Sequence, residues 1–221
     1  MAKSLNLLDK SIPTWKLVLM LAWPSIIEQL LHTAVNYVDT AMVGSLGTQA
    51  TAAVGSTTTV NWLIGSSLSA LGVGFLAYIS QAYGAGDRAR ASRAVTQAVL
   101  AVLTAGTLFT ILTLSLSPMV PVWMQVDVEI CDLAAKYFFI LYIPMLPRTA
   151  TIIFGTVLRA VGDTKTPMRV GVLVNIINVV LNFFLIYPSR CVVILGRNVF
   201  VPGMGWGVSG AAAASAVAFG I

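Results

Sequence analysis

Four stretches of the chain, residues 40–86, 94–126, 170–189 and 198–221, contain no Asp, Glu, Lys or Arg. Each is long enough to supply the about 20 helical residues that cross a hydrocarbon core about 30 Å thick. The charges between them are clustered, as at Arg88, Arg90 and Arg93. A water-soluble domain of this length would carry about a quarter of its residues as charges. Here only 10% of 221 residues are charged and 57% are apolar, with a mean hydropathy of +0.88. A soluble core cannot absorb that much apolar sequence, so the bilayer is the solvent this chain fits.

The fold class expected is all-α, a polytopic six-helix transmembrane bundle, with helices at about 16–43, 50–77, 91–117, 130–157, 168–188 and 206–221 behind a cytoplasmic segment at 1–15. Strands are disfavoured because isolated strands leave backbone groups unpaired in lipid, and the runs are about twice the length of barrel strands. The first run continues through Glu28 and Asp39 and exceeds the about 15 apolar residues of a signal peptide, so it is expected to stay attached.

Orientation follows from the basic residues in the connections. With the N-terminus inside, the inner segments hold Lys3, Lys10, Lys16, Arg88, Arg90, Arg93, Arg159, Lys165 and Arg169, against Arg190 and Arg197 outside. That bias accounts for the net charge of +5 and places the chain in the plasma (inner) membrane as a multi-pass protein. It leaves no soluble basic face for nucleic acid.

The connections carry helix-end chemistry. Gly84 and Gly86 are suited to end the second helix and Asp87 to cap the third, while Gly162 ends the fourth and Thr166 with Pro167 opens the fifth. Pro24, Pro144 and Pro147 fall inside spans, where a missing donor and a ring clash make kinks. Gly203, Gly205, Gly207 and Gly210 lead into the sixth run and allow close backbone approach. That run stops at Ile221 with no polar tail, so the chain reads as the front part of a longer protein or as a truncated product. Cys131 and Cys191 both fall on the expected outer side and are expected to be free thiols.

The first helix is the most informative. Glu28, His32, Asn36 and Asp39 lie at about 0°, 40°, 80° and 20° on a helical wheel, a single polar stripe about 16 Å long. A carboxylate facing lipid near mid-membrane costs about 2.5–3.5 kcal/mol, so the stripe faces protein or water. It is either a cation or proton site within a polar cavity or an interhelical hydrogen-bond seam; a seam has no need of two acids. Asn175, Asn178 and Asn182 share one face of the fifth helix, and their carbonyl oxygens can coordinate a hard cation or accept from a protonated carboxyl.

Several segments together resemble a known family. Leu-Arg-Ala-Val-Gly-Asp-Thr-Lys-Thr-Pro-Met at 158–168, Gln-Ala-Tyr-Gly-Ala-Gly-Asp at 81–87, Val-Asp-Thr-Ala-Met-Val-Gly-Ser-Leu-Gly at 38–47 and Gly-Ala-Ala-Ala-Ala-Ser at 210–215 are similar to the multidrug and toxic compound extrusion (MATE) transporters. The resemblance runs from about Trp15 to the end. It implies the N-terminal lobe of a twelve-helix antiporter, with a second six-helix lobe beyond Ile221. It also implies that Asp39 is the cation-binding and protonation group, with Asn178, Asn182 and Ser215 around it and Na+ at Asp39 and Asn178 as the metal option. Asn182 stands where one branch of the family has a second Asp, which removes one negative charge from the site. Glu28, nearer mid-membrane, is the rival acid, and with His32 and Asn36 it forms a possible second acid or substrate cavity.

No G-x-x-x-x-G-K-[ST] loop is present, so ATP drive is not expected and no cofactor is implied beyond the coupling ion, H+ or Na+. Ion-gradient antiport fits a buried acid that alternates between neutral and charged forms; the cargo implied is a lipophilic organic cation or another toxic compound. A lipid-linked oligosaccharide flippase of a related fold is an alternative, though its anionic cargo calls for more internal cations than Lys136 and Arg148. A non-functional membrane fragment is another. An intramembrane enzyme lacks a paired-acid metal motif or a nucleophile with its base.

Overall fold

The computed structural model describes residues 13–194 and 197–220, with the backbone alone at 191–194 and 197–199. Its helices are α1 (Thr14–Gly44), α2 (Thr48–Gly84), α3 (Arg88–Leu116), α4 (Val120–Trp123), α5 (Val128–Tyr142), α6 (Met145–Ala160), α7 (Lys165–Leu185) and α8 (Gly207–Gly220), with strands β1 (Pro188–Ile194) and β2 (Arg197–Met204) between α7 and α8. Four helices, α1, α2, α3 and α7, are long and apolar enough to cross a membrane, and α5 with α6 makes a fifth crossing bent by 54°.

That bend divides the single helix expected at 130–157. Pro144 has no N–H to donate and caps α6 instead of continuing α5, and Pro147 in the first turn of α6 removes a second donor. Pro24, by contrast, is accommodated inside a continuous, unbroken α1 assignment. The short α4, with Pro121 in its first turn, was not expected from the hydropathy pattern, because four residues carry no periodic signal.

Three buried clusters hold the bundle together. Ile64, Leu68, Phe138, Tyr142, Met145 and Ala212 join α2, α5, α6 and α8. Ile79, Ala98, Val102 and Ile153 join α2, α3 and α6, and Val43, Ala50, Ile186 and Val208 join α1, α2, α7 and α8. The outer faces are apolar as well: Leu100, Leu103, Leu108 and Ile111 along α3 are exposed, as on a helix that meets lipid rather than water.

The two connections expected inside are built alike. Gly86 and Gly162 both take positive φ, and Asp87 N–H and Asp163 N–H reach back to the carbonyls of Ala82 and Leu158, closing two Schellman turns. Each following Asp then accepts from the amide three residues on: Arg90 N–H to Asp87 Oδ1 at 2.9 Å and Thr166 N–H to Asp163 Oδ1 at 3.0 Å. The N-cap position of α7 is Thr164, whose side chain makes no cap bond; the capping side chain is that of Asp163, and Thr166, expected to be the cap, is its donor. Thr166 Oγ1 also donates to Asp163 Oδ2 at 2.6 Å; these bonds to the charged form hold the Asp163 carboxyl below its ordinary value of 3.8.

The antiparallel hairpin β1–β2 pairs Cys191 with Phe200 and Val192 with Val199, adding a small sheet to an otherwise helical molecule. Sequence reading left this segment unassigned; its Val- and Phe-rich strands are too short to separate from a loop by periodicity. At the entry to α8, a Cβ on Gly210 would lie 2.5 Å from the Leu185 carbonyl oxygen, so only glycine lets α8 dock against the end of α7. Cys131 is a free thiol whose Sγ donates to Val126 O at 3.2 Å; the Cys191 side chain lies outside the described residues.

Candidate functional site

Asp39 stands five residues before the end of α1 at Gly44 and faces α7, which packs alongside. Asn182 Nδ2 donates to Asp39 Oδ1 at 2.6 Å and to Asn178 Oδ1 at 3.2 Å. Asn178 Nδ2 in turn donates to Ser215 Oγ on α8 at 2.9 Å. One turn of α7 separates the two asparagines, which is why both face the same neighbour. Asn178 and Asn182 are buried, Asp39 and Ser215 half-buried. The four residues carried over from the family resemblance thus form one connected hydrogen-bond chain across α1, α7 and α8.

Two details give this chain its chemistry. Asn182 Oδ1, at the opposite end of the amide whose Nδ2 meets Asp39, is a buried acceptor with no partner. Which end of the Asn178 amide is nitrogen is assigned from its partners: with the two ends exchanged, Nδ2 donates to both Asp39 oxygens at 3.1 Å and Oδ1 accepts from Ser215 Oγ at 2.9 Å, the assignment that suits an ionised Asp39.

The rest of the stripe does not join this cluster. Glu28 is held by Arg159 at the end of α6, whose Nη2 donates to both carboxylate oxygens at 2.7 Å. Gly171 on α7 leaves room for it, since a Cβ there would lie 3.4 Å from Glu28 Cγ. His32 and Asn36 are exposed on the lobe and bond to each other at 3.3 Å between Nδ1 and Nδ2. Asn175 on α7 is outside the hydrogen-bond chain. Among the described residues, no group of three or more His, Cys, Asp or Glu could hold a metal, so any cation here would rely on asparagine oxygens.

Sequence reasoning passed over Tyr137, Tyr142 and Asn61. Tyr137 on α5 has Asp39 and Arg148 as its charged neighbours, and Tyr142 donates to Asn61 Oδ1 at 2.9 Å, joining α5 to α2. Their signal was available only as polar atoms on membrane spans, and the sequence separation of 81 between Tyr142 and Asn61 hides the pairing.

Residues 24–184 match the MatE family model. The chain is 29% identical over 172 residues to a probable multidrug resistance protein NorM of Thermotoga maritima, covering 78% of this chain and 37% of that protein. It is 30% identical to a probable multidrug resistance protein YoeA of Bacillus subtilis, covering 78% and 38%. Among solved structures, a crystal structure of MATE in complex with MaD3S superposes with a TM-score of 0.81 at 28% identity, covering 92% of this chain and 43% of that one. The chain spans about two fifths of the length of these curated relatives, at 37% and 38%. The family match across most of the chain and the superposition on a solved MATE structure agree, and the chain belongs to the MatE (multidrug and toxic compound extrusion) family, of which it spans one lobe.

Proposed function

We propose that this chain is the N-terminal lobe of a secondary active efflux transporter that couples inward flow of H+ or Na+ to export of organic cations or other toxic compounds, working with a second six-helix lobe in the plasma membrane. The observation that carries the proposal is the Asp39–Asn182–Asn178–Ser215 chain with its unpartnered Asn182 Oδ1. A static seam would leave no buried acceptor open, because such a group costs about 1–3 kcal/mol.

The coupling ion is a co-substrate. A proton arriving at Asp39 neutralises the carboxylate, and its O–H then donates to Asn178 Oδ1. When the proton leaves, the ionised carboxylate accepts from Asn182 Nδ2, 2.6 Å away. Sodium would instead be held by Asp39 with the oxygens of Asn178 and Asn182, hard ligands that suit a hard cation. In either case the ion changes the charge and hydrogen bonding on the α1–α7 contact, which biases the arrangement of the two helices and hence the opening of the lobe.

The test uses the complete transporter in proteoliposomes. Asp39→Asn removes the titratable charge and nearly keeps the shape, so ethidium efflux driven by a pH or Na+ gradient is expected to vanish while membrane insertion persists. Gradient-driven efflux at the wild-type rate in this variant would overturn the proposal. Driving transport with each gradient separately distinguishes the two ions.

A further inference from the structure

Among the described residues, Arg148 is a cation deep within a span that no carboxylate pairs with. Lys136 and Arg148 are the cations that lie far from both ends of their spans. Lys136 pairs with Asp132 at 2.6 Å on an exposed surface. Arg159, at the end of α6, is taken by Glu28. Arg148, four residues past the Pro144 break, forms no salt bridge among the described residues, and its Nη1 is buried without a hydrogen-bond partner. Its guanidinium carbon instead lies 4.9 Å from the ring centre of Phe219 on α8 and 5.6 Å from that of Tyr142 on α5.

This arrangement defines what is missing. Stacking on ring faces satisfies the π surface of a guanidinium and holds its plane fixed, but it leaves the N–H edge unspent. That edge is suited to an oxyanion, which an arginine grips through two parallel hydrogen bonds. The nearby acids do not supply one: Glu28 is engaged by Arg159 and Asp39 by Asn182. The other groups facing this region are Tyr137, which has Asp39 and Arg148 as charged neighbours, and the exposed imidazole of His32, whose charged neighbours are Arg148 and Glu28. The groups against the guanidinium are the rings of Tyr142 and of Phe219 on α8, which favour an apolar body.

We infer that Arg148 forms an anion subsite in this lobe, separate from the Asp39 cluster, which takes the carboxylate or sulfonate of an amphiphile. The inference rests on the efflux reading above and narrows its cargo class: molecules that carry an anionic group, zwitterions included, are held more firmly than their esterified, purely cationic counterparts. The anion can come from a soluble amphiphile or from an acidic lipid, whose phosphodiester offers a guanidinium a comparable pair of oxygens on an apolar body.

Two dyes that differ in this one group test it: rhodamine B, which has a free carboxylate, and its ethyl ester. Binding to the complete transporter in phosphatidylcholine nanodiscs, read by fluorescence polarisation, needs no ion gradient, so it is independent of whether Asp39 drives transport. The wild type is expected to bind rhodamine B about tenfold more tightly than the ester, the scale of one charge-assisted hydrogen bond. Arg148→Gln should abolish the preference and leave ester binding unchanged, and Arg148→Lys should keep part of it. Adding phosphatidylglycerol to the discs identifies the source: competition with rhodamine B points to a lipid occupant, and no competition points to a soluble one. Equal binding of the two dyes by the wild type overturns the inference. So does a loss of both dyes in Arg148→Gln together with a lowered unfolding temperature, which would mark Arg148 as the buried partner of an acid in the second lobe.

Discussion

Asp39 and Asn182 share a hydrogen bond of 2.6 Å, and the other end of that amide, Oδ1, has no partner. One carboxylate and two asparagines make a weaker sodium site than two carboxylates, because affinity for a hard cation grows with ligand charge. Asn182→Asp is therefore expected to strengthen Na+ binding by about tenfold or more, measured as the Na+ concentration that half-protects the complete transporter against thermal unfolding. Unchanged protection would show that the oxygens near Asp39 do not form a cation cage. At this scale Asp39 was legible in the sequence because helical spacing put it on a polar stripe and loop motifs tied it to a family. The fate of Glu28 was not. Its partner Arg159 lies 131 residues away, and no local pattern links the two.

That pair matters at the scale of elements, since it joins α1, one turn after Pro24, to the end of α6 and lies against α7. The side chains are 25% and 28% exposed, between the surface pairs that contribute little and the buried pairs whose rupture costs several kcal/mol. Glu28→Gln or Arg159→Gln alone is expected to cost about 2 kcal/mol of stability, and the double variant less than the sum, because a single change strands one charge and the double change strands none. A thermal double-mutant cycle reads this directly; additive losses would mean that the two groups do not interact. Such a tie between α1 and α6 would account for one acid of the stripe by packing alone.

The α6–α7 turn gives a second test at this scale. Asp163 caps α7, and its folded pKa lies below its ordinary value of 3.8 because Thr166 donates to it twice. The stability it adds is present above the unfolded value and is lost as pH falls through the folded one. Asp163→Ala is expected to cost about 1 kcal/mol at pH 7, with the gap between variant and wild type closing as pH falls below the ordinary value of 3.8 and through the lower folded one. A gap that stays constant on acidification would assign the loss to something other than the carboxylate. The glycine and aspartate of both turns were readable from sequence. The cap's identity was displaced by three residues, because Thr and Asp both favour such positions and only the backbone geometry chooses between them. The break at Pro144 was foreseen as a kink and proved a full division, since a second proline follows within the next turn.

Across the whole molecule, alternation of the crossings puts the α2–α3 and α6–α7 turns at one end, and the α1–α2 turn, α4 and the hairpin at the other. The first end carries Arg88, Arg90, Arg93, Arg159, Lys165 and Arg169, and the hairpin end Arg190 and Arg197. Arg190 does not project freely there; its guanidinium lies 3.9 Å from the Tyr187 ring centre, a stacked contact of the kind that anchors a helix end at an interface. Basic residues in short loops resist transfer across the membrane during insertion, so the richer end is expected to be cytoplasmic. Single cysteines introduced at Gly47 and Met124 in a background without Cys131 and Cys191 should react with a membrane-impermeant maleimide in intact cells, whereas cysteines at Gly86 and Thr164 should react only after permeabilisation. Gly86 and Gly47 have φ of 75° and 115° and Thr164 is buried, so Arg88→Cys at the exposed start of α3 and Thr48→Cys at the exposed start of α2 supply controls that do not strain the turns. Labelling of Arg88→Cys from outside, with Gly47→Cys protected, would invert the lobe and place the Asp39 cluster nearer the cytoplasmic face, where an inward gradient would load it from the wrong side.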